Sequence, residues 1–149
     1  MMSRRFLLFC LPLALIGCGA ASQEKLALPA VAPSKARLIF YRGGNPYDGL
    51  TWTRVLLNGQ RIGAAAPGTV FYRDVTPGVY QIGVDSEKLY PGQDKAVAAD
   101  AGSTTYIKVM TAPLWGQSGV QWWGNTFTTA VMAPAVGQSE IGPLRLTSG

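Results

Sequence analysis

From Lys35 onward the chain alternates short β-branched and aromatic runs with chain-breaking residues. Ala36-Arg37-Leu38-Ile39-Phe40-Tyr41-Arg42 stops at Gly43-Gly44-Asn45-Pro46, which reads as a strand followed by a loop. Trp52 to Leu57 and Gln60 to Ala64 flank Asn58-Gly59. That pair predicts a tight hairpin, because both turn positions must accept positive φ. Thr69 to Val75 and Val79 to Val84 flank Thr76-Pro77-Gly78, where proline before glycine fits a type II turn. Lys95 to Ala99 and Thr104 to Thr111 surround Asp100-Ala101-Gly102-Ser103, which reads as another hairpin, and Thr126 to Met132 forms the last run. No segment keeps a helical period, and 18 Gly and 10 Pro are spread throughout. Only Val136 to Leu144 admits a turn of helix. About seven or eight short strands at spacings of ~8–12 residues predict an all-β fold, a single β-sandwich over residues 35–149. Within it, Tyr80, Ile82 and Val84 alternate with Val79, Gln81 and Gly83. That predicts one packed face and one wet face.

The N-terminus follows a different pattern. Arg4 and Arg5 precede an apolar stretch, Phe6 to Ile16, that is broken only by Pro12. It is roughly half the ~20 residues a membrane-spanning helix needs and has the layout of a secretory signal. Leu15-Ile16-Gly17-Cys18 closes it and resembles the lipobox of bacterial lipoproteins. Residues 1–17 are thus expected to be removed by cleavage between Gly17 and Cys18, with Cys18 lipidated. Gly19-Ala20-Ala21-Ser22 offers an ordinary cleavage site as the alternative. Residues 18–34, with Pro29 and Pro33, read as a flexible linker. Gly19 is not the aspartate that favours retention in the inner membrane. An exported, lipid-anchored protein on the outer membrane, facing the periplasm, is the expected address.

Charge and cysteine content narrow the chemistry. Losing Arg4 and Arg5 lowers the formal net charge from +5 to +3, and the remaining cations are scattered singly. A nucleic-acid surface would cluster them, so no nucleic-acid partner is expected. Cys10 falls inside the cleaved segment, leaving Cys18 as the one mature cysteine and excluding an internal disulfide. There is no histidine, which removes the usual general base and the usual zinc ligand. Asp85 and Glu87, two residues apart, would share a strand face, but they precede Tyr90-Pro91-Gly92 and read as a solvated loop. No metal site, cofactor or enzymatic activity is expected.

The strand series carries a family resemblance. Arg37-Leu38-Ile39-Phe40-Tyr41-Arg42, Val55-Leu56-Leu57-Asn58-Gly59-Gln60-Arg61-Ile62-Gly63 and Gly68-Thr69-Val70-Phe71 come first. Val75-Thr76-Pro77-Gly78-Val79-Tyr80 and Ala101-Gly102-Ser103-Thr104-Thr105-Tyr106-Ile107 follow in order. Over Ala36 to Val109, together with the lipobox, the chain resembles the small bacterial lipoproteins grouped as domain of unknown function 2846. The resemblance implies a prealbumin-like or PEGA-like sandwich, exported and membrane-tethered, with no established reaction. Thr76 stands where such turns often carry a second proline.

Aromatic residues are the remaining candidates. Phe40, Phe71, Tyr80 and Tyr106 lie within strands and are expected in the core, while Trp52, at a strand start, is expected to cap the sandwich. Trp115, Trp122 and Trp123 fall in a Gly/Gln/Ser-rich insert from Ala112 to Asn125 and are candidate contacts for a ligand or membrane. The expected function is therefore a lipid-anchored, non-catalytic envelope module for binding or structure. Its partners are the membrane, through the lipid, and an envelope protein or glycan. The alternative is a glycan- or peptidoglycan-binding module that uses the insert's tryptophans. The oligomeric state does not follow from the sequence.

Overall fold

A computed structural model describes residues 26–44, 51–86, 93–111 and 126–149, and the backbone of 114–115 and 121–122. Its elements in chain order are β1 (Ala36–Arg42), β2 (Thr53–Leu57), β3 (Gln60–Ala65), β4 (Thr69–Val75), β5 (Gly78–Val84) and β6 (Lys95–Ala99). Then come β7 (Thr104–Thr111), β8 (Leu114–Trp115), β9 (Gln121–Trp122), β10 (Phe127–Met132), α1 (Pro134–Ile141) and β11 (Arg145–Leu146). One sheet runs β10-β7-β1-β4-β11 and the other β3-β2-β5-β6, while β8 and β9 form a small separate ribbon. The two packed sheets make the expected all-β sandwich. They hold nine strands, the eight runs legible in the sequence plus the two-residue β11.

The pattern of β1 decides the layering. All seven of its residues are buried. Ala36, Leu38 and Phe40 face the second sheet, where Phe40 stacks on its cross-strand partner Phe71 at 5.2 Å between ring centroids. Ile39 and Tyr41 face the opposite way into a second apolar cluster with Val70 and Ile141. Near-continuous apolar character is what a strand covered on both faces requires. The cover is α1 together with the stretch before β1, whose Leu26 and Leu28 pack into the same cluster. Residues 26–34, part of the stretch read as linker, are thus seated on the sandwich. Arg37 pins them by donating to the Pro29 carbonyl, while a bidentate pair ties its guanidinium to Asp74 at 2.6 and 2.7 Å.

The helix begins two residues before the stretch expected for it, with Pro134 in its first turn, where a missing N–H costs nothing. Gly137 reads as a breaker in the sequence, yet here it is a packing requirement. A Cβ at that position would lie 2.3 Å from the Tyr106 ring. Glu140 then locks the helix to the sheet. It accepts from the Tyr41 hydroxyl at 2.5 Å and from Lys108 Nζ at 2.7 Å.

Two connections differ from their sequence reading. Thr76-Pro77-Gly78 joins β4 to β5, and those strands lie in different sheets. Gly78 is not left-handed, so the segment is a sheet-to-sheet crossing and not a type II hairpin turn. Asp100-Ala101-Gly102-Ser103 likewise carries the chain from β6 across to β7, with Gly102 at φ 70°. β7 then pairs with β1 in parallel. Turn chemistry marks where a chain reverses, but which strand it pairs with afterwards is set by burial elsewhere. The alternation in β5 holds, with Ile82 and Val84 buried, Tyr80 half-buried against the core, and Val79 and Gln81 exposed.

Asn58 (φ 50°) and Gly59 (φ 78°) form the expected two-residue turn, with Leu57 opposite Gln60. A Cβ on Gly59 meets nothing within 4 Å, so any penalty there is conformational. Gly59→Val should therefore cost ~1–3 kcal/mol more than Gly59→Asn, read as a difference in denaturation midpoints. Equal midpoints would contradict a primed turn.

Acid should loosen the helix. Hydrogen bonds from Lys108 and then Tyr41 hold the Glu140 carboxyl below its ordinary range, and Arg37 does the same for Asp74. A depressed folded-state pKa contributes stability above the unfolded value and loses it as pH falls through the folded one. Tm should thus fall as pH drops below about 4, and Glu140→Gln should flatten part of that slope. An unaltered slope in the variant would show that the Lys108–Glu140–Tyr41 contact carries none of it.

Candidate functional site: the loop-bearing pole

Strand direction sorts the connections into two poles. The chain leaves β1 at Arg42, β5 at Val84 and β7 at Thr111, and it enters β2, β6 and β10 at Thr53, Lys95 and Phe127. The register places these ends together, with Val55 opposite Val84, Arg42 opposite Thr69 and Phe127 opposite Thr111. The long connections 43–52, 85–94 and 112–126 therefore all spring from one pole. The tight reversals at Asn58-Gly59, Pro77 and Gly102 occupy the other.

The floor of the loop-bearing pole is polar and buried. Arg42 lies on the inward-facing positions of β1, in step with Leu38 and Phe40, and is fully buried. Its guanidinium donates to the Thr51 carbonyl and, at 3.1 Å, to Thr111 Oγ1. It also sits 5.0 Å from the centre of the Phe127 ring. The backbone of Phe127 is held in turn by Ser86 Oγ, at 3.2 Å from both its N–H and its carbonyl, and by buried Gln93, whose Nε2 donates at 3.0 Å. Thr53 Oγ1 donates to the Asp85 carbonyl at 3.3 Å. Arg42 and a few polar side chains thereby tie the 43–52 and 85–94 connections to the sheets.

The rim of this pole carries Trp52. It does not cap the sandwich as expected, because it is 53% exposed. The Arg54 guanidinium lies 4.9 Å from the centre of its ring. Asp85 accepts from Arg61 at 2.8 Å and lies 3.7 Å from Arg54. The Asp85 half of the sequence-level carboxylate pair is thus a surface ion pair, and Glu87 lies outside the described residues.

A family model described as protein of unknown function (DUF2846) matches residues 32–119. That is more than half of the chain. The chain belongs to this family. No curated protein and no solved structure matches it. In this DUF2846 protein the match spans β1 to β8, while β9, β10, α1 and β11 lie beyond it.

The structure brings some of the sequence-level candidates together and leaves others outside its description. The β8–β9 ribbon pairs Leu114 with Trp122 and Trp115 with Gln121, so the backbones of two candidate tryptophans meet in one hairpin within the 112–126 connection. The side chains of Trp115 and Trp122, like Trp123, Gly17 and Cys18, lie outside the described residues. Among the described residues, no three His, Cys, Asp or Glu side chains gather as metal ligands. Sequence reading missed Arg42, Ser86 and Gln93. The available signal was Arg42 itself, a charge at an inward-facing position of an apolar strand.

Arg42→Met keeps the aliphatic stem and removes the donors to Thr51 and Thr111. It should lower stability by about 1–3 kcal/mol for each acceptor left without a partner, and it should raise amide exchange around Thr51 and Phe127. An unchanged midpoint would show that the guanidinium does not hold the pole.

Proposed function

We propose that this protein is a lipid-anchored, non-catalytic module of the bacterial cell envelope, tethered through Cys18 to the outer membrane and facing the periplasm. The observation that carries the reading is Leu15-Ile16-Gly17-Cys18 after a short apolar run. Seating of Leu26 and Leu28 on the sandwich supports it. Seven residues, Gly19 to Lys25, separate Cys18 from the seated arm, and a flexible stretch of that length would span ~15 Å. That clears a lipid headgroup layer while keeping the domain close to it. No helix among the described residues is long and apolar enough to cross a membrane. Acyl chains on Cys18 would supply the anchor, since each buried CH₂ contributes ~0.8 kcal/mol and stable attachment takes about two chains.

Cys18→Ala should abolish labelling by a palmitate analogue and move the protein from the membrane to the soluble fraction. Labelling that persists in the variant would refute the assignment. A second reading, a glycan- or peptidoglycan-binding module, is favoured by the β8–β9 ribbon lying in a connection of the loop-bearing pole. Co-sedimentation with peptidoglycan that is lost on Trp115→Ala with Trp122→Ala would support it.

A further inference from the structure

The rim formed by Trp52, Arg54, Arg61 and Asp85 has chemistry that the fold does not use. Arg54 and Asp85 face each other across β2 and β5, where the Asp85 N–H donates to the Arg54 carbonyl at 2.9 Å. Arg61 reaches the same carboxylate from β3, so two paired strands carry the guanidiniums and Asp85 directly follows β5. Arg54, Arg61 and Asp85 are each between 41% and 61% exposed.

Two guanidiniums share one carboxylate here. Each guanidinium has five N–H donors in a planar fork, so the group keeps a net positive charge and several donors facing solvent. Beside them the Trp52 indole is more exposed than buried, with the Arg54 guanidinium 4.9 Å from its ring centre. An exposed indole stacks on the apolar face of a sugar ring, and a guanidinium fork matches a carboxylate or phosphate. The geometry points to a binding site for an anionic glycan: Trp52 stacks on a sugar ring while Arg54 and Arg61 take its uronate or phosphate group.

The choice of a glycan over an anionic bilayer rests on the proposed tether. The seated arm lies on the outer face of the five-stranded sheet, against α1, whereas the rim belongs to the other sheet. The rim therefore lies at the sheet opposite the one on which the arm that continues the proposed tether is seated. The tryptophan pair of the β8–β9 ribbon is a separate group, and the rim stands without it.

The test uses the full acylated chain in detergent micelles and isothermal titration calorimetry. The probes are an oligogalacturonate and a mannose-phosphate oligosaccharide, with neutral cellotetraose as control. Saturable binding of at least one anionic probe, with weaker binding of cellotetraose, is the expected result. Trp52→Ala and Arg61→Gln should each weaken it about tenfold, with unchanged Tm. Three results would overturn the proposal: neither anionic probe binding, binding that survives Trp52→Ala, or capture of the cleaved soluble form by phosphatidylglycerol vesicles through the same residues in place of the glycans. All three leave labelling at Cys18 untouched, so failure of the site is distinguishable from failure of the tether.

Discussion

The burial of β1 on both faces is the constraint on which the rest of this molecule depends. A two-sheet sandwich covers one face of each strand, and the other usually meets water. Here Ile39 and Tyr41 point away from the second sheet and are as buried as Leu38 and Phe40. An outer layer is therefore obligatory. The chain supplies it from both sides of the sandwich sequence, the arm at residues 26–34 before it and α1 after it. Neither cover folds on its own, since the arm has no regular structure and α1 has only eight residues. Helices that short are marginal in water, so α1 persists because Ile141, Glu140 and Gly137 have fixed partners on the sheet.

Each end of β1 carries an arginine, and the two divide the labour. Arg37 lies on the outer face, over the Tyr72 ring at 4.2 Å, and joins the arm to β4 through Pro29 and Asp74. Arg42 lies on the inner face and ties the 43–52 connection, through Thr51, to β7 at the loop-bearing pole. Alternation of side chains along a strand makes this possible, because residues five apart point to opposite faces. The fork geometry of guanidinium lets one side chain satisfy several carbonyls at once. An ammonium at either position would provide the charge without the planar reach.

The strands were legible from the sequence because their cause is local. β-branched and aromatic runs between breakers produce them wherever the sheets lie, and Asn58-Gly59 fixes its hairpin by backbone sterics alone. Partner choice was not legible. Thr76-Pro77-Gly78 and Asp100 to Ser103 reverse the chain as their chemistry requires, but each delivers it to the other sheet, because the inner faces of both sheets share one core. The helix was half-legible. Gly137 lowers helix propensity in isolation, and only the nearness of Tyr106 explains its presence. Arg42 was hidden for a related reason, since an arginine closing an apolar run looks like a solvated strand end until the floor of the pole is seen.

The same constraint separates the surfaces of the molecule. The outer face of the five-stranded sheet is occupied by the arm and α1, and the exposed indole and guanidinium donors lie at the other sheet. There Arg54 lies on β2 and Asp85 directly follows β5, each next to the buried cross-strand pair Val55 and Val84. Arg54 and Asp85 are thus each one residue from the core. A side-chain group built on paired strands loses little freedom when a ligand arrives, whereas one on a long connection must be ordered first. That difference favours Arg54 and Arg61, which stand on β2 and β3, as the part of this surface already arranged to bind.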